Sequence, residues 1–292
     1  MILRDLEIVE RARRDAREAA SCEAMAKDGL GDRCKSFEAA EAGRRAMRGL
    51  PLLARLDGRA FHTFTRGLRR PYEHGLSVAM IETARYLVQE MIALVGYTQS
   101  DEITLAWYEP SQSASDYAFD GRFQKLASVL AGMASARFGK LIAEHLPGKA
   151  SETPHFDCRV WQVPTLEDAA DVFVWREDDA TKNSITMAAG AHYADHELEG
   201  KNSSVKQEML WQKGVNWNDF PTFFKRGTYL QRRTAARTLT EEERARIPEA
   251  HRPPLGATFQ RTQVVELELP PVRQIANLGA VLFERAEPAA RT

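Results

Sequence analysis

Short apolar runs alternate along this chain with longer stretches in which apolar residues recur every three or four positions. Pro51-Leu52-Leu53-Ala54-Arg55-Leu56 reads as a buried strand that stops at Asp57-Gly58. From Leu76 to Val95 the residues Val78, Ile81, Leu87, Met91, Ile92 and Val95 recur at helical intervals, with Gly96 as the stop signal. Tyr97–Trp107 predicts a hairpin, polar at Gln99-Ser100-Asp101-Glu102 and alternating through Ile103, Leu105 and Trp107. A helix over Phe119–Leu146, a strand over Phe156–Val163 and a largely helical Thr165–Tyr193 follow, the last announced by Pro164-Thr165 and Glu167-Asp168. The order β-α-β-β-α-β-α predicts an α+β fold, an antiparallel sheet with helices on one face, of the ferredoxin-like palm type. Residues 1–49, rich in Ala with Arg and Glu alternating, read as a helical arm, and 50–237 as the main domain. Residues 238–292, with Pro248, Pro253, Pro254, Pro270 and Pro271, read as an appended, partly irregular extension holding one late strand at Val264–Leu269. No internal repeat is present.

Composition places the 292 residues among ordinary globular chains, at 43% hydrophobic and 28% charged. No apolar run approaches the roughly 20 residues that span a bilayer, and Met1-Ile2-Leu3-Arg4-Asp5 runs into charge rather than a signal-peptide core. These features predict a cytoplasmic protein with no membrane partner. Cys22, Cys34 and Cys158 are odd in number and lack CxxC spacing, which supports neither a disulfide framework nor a Cys-rich zinc site.

A formal net charge of -1, from 40 Lys+Arg and 41 Asp+Glu, argues on its own against nucleic acid as a partner. Position reverses that inference. Residues 161–200 carry nine acids against Arg176 and Lys182, whereas 201–237 carry eight bases against Glu208 and Asp219. The ordinary meaning of the acidic block is a solvated face. In the basic block Trp211, Trp217, Phe220, Phe223, Phe224 and Tyr229 are interleaved with the cations, a pattern that suits phosphate contacts beside stacking surfaces, though aromatic residues also build cores. Lys201, Lys213, Lys225, Arg226, Arg232 and Arg233 are its candidate nucleic-acid contacts.

Asp57 closes the first strand and Asp101-Glu102 occupies the bend of a hairpin expected in the same sheet. Neighbouring carboxylates repel unless a cation neutralises them, and Mg²⁺ takes one or two carboxylates together with waters and substrate phosphates. Gly58 permits close backbone approach, so its carbonyl is a further candidate ligand. Such a set would serve two-metal phosphoryl or nucleotidyl transfer. The spacing suits ordinary turn use of Asp equally well. No GxxxxGK phosphate loop is present.

Arg55-Leu56-Asp57-Gly58-Arg59-Ala60-Phe61-His62-Thr63-Phe64, followed by Gln99-Ser100-Asp101-Glu102, resembles the paired RxDGRxFHxF and QSDE signatures of the tRNA(His) guanylyltransferase family. Phe156-Asp157-Cys158-Arg159, Trp175-Arg176, Lys206-Gln207-Glu208-Met209-Leu210 and Phe224-Lys225-Arg226-Gly227-Thr228 extend the resemblance over roughly residues 50–232. The resemblance implies a polymerase-like palm that adds nucleotides 3′→5′ to the 5′ end of a tRNA, after ATP- or GTP-dependent activation of the 5′ phosphate. It implies two Mg²⁺ ions on Asp57, the Gly58 carbonyl and Asp101, with Glu102 beside them as a third catalytic carboxylate. It also implies nucleotide or phosphate contacts from Arg55, Gly58, Arg59, Ala60, Phe61, His62, Arg70, Ser100, Arg122, Lys125 and Lys206, and a homotetramer. His62 serves equally as a residue that orients the turn. Arg70 stands where the family often has Lys. Asn183 alone remains of the eukaryotic HINNLYN motif, and with Gly214-Val215-Asn216-Trp217-Asn218-Asp219 this pattern is similar to the prokaryotic guanylyltransferase-like proteins, which resemble repair enzymes for 5′-truncated tRNAs.

Two other functions fit parts of the sequence: a palm-fold nucleotide cyclase, which does not need the basic-aromatic segment, and a tRNA-binding module without catalysis, against which the three acids argue. His192 and His196 are four apart on a predicted helix but lack a third ligand. Cys158, in a predicted strand, reads as a small buried residue.

Overall fold

The computed structural model describes residues 29–41, 43–109 and 117–291. The chain divides into two units, Met1–Arg45 and Ala46–Thr292. In the first, residues 29–40 are helical; the rest of the predicted arm, Cys22 included, lies outside the described residues.

The second unit is built on a six-stranded antiparallel sheet. Its strands are β1 (Leu52–Gly58), β2 (Val95–Gln99), β3 (Glu102–Trp107), β4 (Phe156–Gln162), β5 (Thr228–Thr238) and β6 (Thr258–Leu267), in the order β4-β1-β3-β2-β5-β6. The helices that matter to the site are α1 (His74–Glu90), α2 (Phe123–His145), α3 (Leu166–Gly190), α4 (Ser203–Gln212) and α5 (Thr222–Arg226). The α+β class and the predicted hairpin, β2 and β3, are both present.

Strand alternation sends neighbouring residues to opposite faces of the sheet. Leu52, Ala54 and Leu56 of β1 join Ile103, Leu105 and Leu230 beneath α1 and α2, where Leu87, Leu130 and Phe138 complete the core. Leu53, Val95, Tyr97, Ala106 and Tyr229 point the other way. They are covered by Ala169, Phe173 and Ala180 of α3 and by Val272, Ile275, Val281 and Leu282 near the C-terminus. Helices therefore cover both faces, where the sequence reading put them on one. The reason lies in the strands themselves: Leu52, Leu53 and Ala54 are apolar without alternation, so β1 needs cover on both sides.

The segment beyond residue 238, expected as an appendage, is part of this unit. β6 pairs with β5 from Thr258 opposite Thr238 to Leu267 opposite Tyr229. Buried Gln231 donates through Nε2 to the carbonyls of Val281 and Leu282, at 2.8 and 3.0 Å, and so ties the C-terminal core to the sheet. The late strand begins at Thr258 rather than Val264 because main-chain pairing holds its first, exposed half without an apolar face. α1 ends at Glu90, and Val95-Gly96 opens β2 instead of closing the helix. A Cβ on Gly96 would lie 2.5 Å from Cγ2 of Val88, so that glycine serves helix–sheet contact. α2 is long and apolar enough in composition to cross a membrane, but its stripe Leu126, Leu130, Ala134, Phe138, Leu141 and Ile142 is buried on the sheet.

Phe138 and Phe173 are fully buried on opposite faces. Phe138→Ala and Phe173→Ala are each expected to lower unfolding free energy by about 3–5 kcal/mol, read from urea denaturation. A normal midpoint for Phe173→Ala would show that the α3 face does not belong to the cooperative core.

Candidate active site

The end of β1 is tied to the β2–β3 bend. Asp57 stands opposite Glu102 in the β1–β3 ladder, and the Gly58 N–H donates to the Asp101 carbonyl at 3.1 Å. Ser100, in the left-handed region at φ 54°, turns the bend. Ala60 at φ 57° then starts the one-turn helix Phe61–Phe64. A Cβ at Gly58 would sit 2.4 Å from the Phe61 ring, so the close approach of ring to backbone requires glycine there. The Phe61 ring is anchored by Phe64, Phe156 and Phe138, with centroids at 5.1, 5.2 and 5.5 Å.

The three predicted carboxylates have different surroundings. Glu102 is clamped: Arg176 Nε donates to its Oε1 at 2.6 Å, and Arg55 Nε lies 3.8 Å from Oε2. Burial pushes its carboxyl pKa up, and Arg176 opposes that shift. Arg176 also reaches Asp179 Oδ2 at 3.1 Å. Asp57 and Asp101, by contrast, have no paired cation among the described residues. Burial raises the Asp101 pKa, a backbone hydrogen bond opposes, and the charge of Asp57 raises it further. Negative charge thus accumulates uncompensated at Asp57 and Asp101. Their hard oxygens fit Mg²⁺, which needs only one or two carboxylates when water and substrate phosphates fill the remaining positions. Glu102 fits the role of a positioning residue for Arg176. Among the described residues no group of three or more His, Cys, Asp or Glu is arranged to hold a metal.

Two clefts meet at Ser100, Asp101 and Met187. One, of about 520 Å³, is lined by His62, Arg66, Arg69, Arg70 and Tyr72. The other, of about 340 Å³, lies over Asp57, Glu102, Asn183 and Thr186. Lys206 Nζ donates to Thr186 Oγ1 at 3.0 Å and so reaches the wall of the second cleft.

The structure thus brings together Asp57, Gly58, His62, Arg70, Ser100, Asp101, Glu102 and Lys206. Phe61 lines the first cleft with its ring in the core, and Ala60 supplies the turn. Arg59 is exposed and donates its N–H to the His155 carbonyl at 2.8 Å. Other predicted contacts are engaged elsewhere. Arg55 holds Glu102. Arg122 and Lys125 line neither cleft: Arg122 Nε donates to the Phe119 carbonyl at 3.3 Å, and Lys125 Nζ lies 5.0 Å from the Phe119 ring centroid. Arg66, Arg69, Thr186 and Met187 are site residues that the sequence reading missed. The cation run from Arg66 to Arg70, soon after the Asp57 turn, was the available signal.

One ion pair, Arg226 with Glu177, joins the two charge blocks, and other members of each are held elsewhere in the chain. Glu177, expected on a solvated face, is buried, its pKa pushed up by burial; it accepts from Arg226 at 3.4 Å and from the Val272 N–H at 3.0 Å. Asp178 pairs with Arg273. Arg226 also donates to the Leu269 carbonyl at 3.2 Å, so its guanidinium is engaged within the chain. Lys225, Arg232 and Arg233 are likewise tethered, to the Asn218 carbonyl, the Ile92 carbonyl and Gln231. Lys201 and Lys213 remain exposed. Most of the interleaved aromatics pack with Tyr72 and Leu210, while Trp211 is exposed. His192 and His196 do not share a helix, since α3 ends at Gly190 and His196 lies in the short helix Asp195–Leu198. The Cys158 thiol is pushed up to about 12 by burial and by Asp157.

A family model described as tRNAHis guanylyltransferase matches residues 31–164. The probable tRNA(His) guanylyltransferase of Drosophila melanogaster is 25% identical over 256 residues, spanning 81% of this chain and 87% of that protein. The tRNA(His) guanylyltransferase of Debaryomyces hansenii is 27% identical over 238 residues, spanning 71% and 88%. A bacterial tRNA(His) guanylyltransferase (Thg1)-like protein solved with ATP superposes with a TM-score of 0.65 at 36% identity, over 70% of this chain and 87% of that one. One solved with GTP gives a TM-score of 0.65 at 30% identity, over 84% and 94%. On this agreement of sequence and fold, the chain belongs to the tRNA(His) guanylyltransferase family and is a nucleotidyltransferase.

Proposed function

We propose that this enzyme adds nucleotides in the 3′→5′ direction to the 5′ end of tRNA, as Mg²⁺-dependent templated end repair that includes G addition to tRNA(His). The observation that carries this reading is the uncompensated pair Asp57 and Asp101 beside two adjoining clefts, with Asp101 in the wall that the clefts share. Similar structures carry ATP and GTP, which supports nucleotide occupancy of the clefts.

In the activation step a 5′-phosphate oxygen attacks the α-phosphate of the activating nucleotide and pyrophosphate leaves. In the addition step the 3′-OH of the incoming nucleoside triphosphate attacks the activated 5′ phosphate, and the nucleoside monophosphate leaves. Arg66, Arg69 and Arg70 suit a triphosphate, since guanidinium forks match phosphate oxygens. Lys206 is suited to meet charge in the second cleft. Arg176, fixed on Glu102, holds Asp179 and keeps the wall beside Asp57 in one geometry. Mg²⁺ on Asp57 and Asp101 would supply charge stabilisation to attacking and leaving oxygens.

Extension of a tRNA lacking its 5′ nucleotide, with labelled nucleoside triphosphates, ATP and Mg²⁺, is expected for the wild type. Asp57→Ala and Asp101→Ala should each slow it by about 10³-fold, the equivalent of roughly 4 kcal/mol. Absence of extension under every nucleotide combination would falsify the reading.

The folded state holds the Asp101 proton more tightly than the unfolded chain does. The Asp101 contribution to metal-free stability is therefore fullest at low pH and is lost as pH rises through its raised carboxylate range. Added Mg²⁺ should cancel the decline. Asp57→Asn should raise Tm without Mg²⁺ and lose the Mg²⁺-induced rise, as read by thermal denaturation across pH; a Mg²⁺ response identical to wild type would remove Asp57 from the ion site.

A further inference from the structure

Trp175 is 54% exposed although it lies on α3, one residue from the arginine that holds Glu102. Two guanidinium groups flank its ring, Arg176 at 4.5 Å and Arg55 at 5.8 Å from the centroid. An indole held against cations, with more than half its surface in solvent, is poised to accept a further planar group. The sheet beside it is open. β4 is an edge strand, and its Arg159 stands opposite Arg55 while its Asp157 stands opposite Asp57. Arg159 is exposed, and its ion pair with Asp157 is loose at 4.0 Å. Paired residues share a face in an antiparallel ladder, so Arg159 lies on the same side as Arg55 and Asp57.

These groups fall in sequence along α3. Arg176, Asn183, Thr186 and Met187 belong to the two clefts, and Trp175 precedes Asn183 by two helical turns, about 12 Å. The clefts begin on α3 at Arg176 and continue toward its C-terminal end, and Trp175 and Arg159 lie outside both, Arg159 on the edge strand β4. A reactive 5′ end at Asp57 has to continue into a polynucleotide, and this surface has the cations and the ring that such a strand needs.

We propose that Trp175 is a stacking platform for a base of the RNA strand next to the reacting 5′ end, and that Arg159 contacts a phosphate of the same strand. This inference rests on the tRNA 5′-end reading above. It assigns RNA, not a free nucleotide, to the Trp175 ring, because the ring lines neither nucleotide cleft.

The test measures equilibrium binding of 5′-truncated tRNA and, separately, of ATP and GTP, by the full chain. Trp175→Ala and Trp175→Leu should weaken tRNA binding about tenfold or more with nucleotide binding unchanged. Trp175→Phe, which keeps an aromatic plane, should restore most of the affinity. Arg159→Gln should lower the slope of log affinity against log salt by about one. Circular dichroism and Tm verify that the variants fold. If Trp175→Leu binds tRNA like the wild type, the platform is overturned while the end-extension reading stands. Equal losses for tRNA and ATP would assign the ring to the mononucleotide and overturn it as well. A wild type that binds tRNA with the expected Trp175 dependence but never extends it fails the reaction reading alone, and a wild type that binds no tRNA overturns both.

Discussion

Two carboxylates that repel each other set the terms for this site. Asp57 and Asp101 are brought together by the hydrogen bond from the Gly58 N–H to the Asp101 carbonyl, so the main chain imposes a proximity that the side chains oppose. The surrounding structure makes that imposition possible. The Phe61–Phe64–Phe138–Phe156 cluster locks the turn after Gly58, and the β1–β3 and β2–β3 ladders fix the bend. Local electrostatic strain of this kind persists only where packing over-determines the geometry. A divalent cation placed there would relieve it and would give phosphate oxygens a reason to bind.

Arginine is distributed by the same logic. Some guanidinium groups are consumed by protein carboxylates, Arg176 and Arg55 at Glu102 and Arg226 at Glu177. Others, Arg66, Arg69 and Arg70, line an open cleft. A buried ion pair contributes little net stability because desolvation offsets attraction, but it fixes orientation strongly. The paired arginines therefore shape the site, while those lining the cleft are suited to meeting phosphate.

Much of this arrangement was legible in the residues. Strand and helix order followed from periodicity, and Asp57 and Asp101 stood at predicted strand ends that the structure brings together. The second buried face was masked in the sequence, because Arg55 interrupts the apolar run Leu52–Ala54 and gives β1 a polar residue on the face that α3 covers. The second half of β5 and the first half of β6 escaped because they are held by main-chain pairing and carry exposed polar and small residues instead of an apolar face. The partners of Glu102, Glu177 and Arg226 escaped for another reason: an ion pair between residues 49 to 74 positions apart leaves no local pattern. The basic segment suggests one RNA-facing surface in sequence, yet several of its cations face carbonyls and carboxylates of their own chain.

The bend at Ser100-Asp101, with Met187 facing it from α3, is a common wall for both clefts. At that wall neither cleft can be reshaped alone. If each cleft takes a nucleotide as proposed, a substitution there that widens one shifts the boundary of the other, and preferences for the two nucleotides would be inherited together. Changes in specificity would have to come from the outer walls, the arginine loop at residues 66–70 on one side and Asn183, Thr186 and Lys206 on the other.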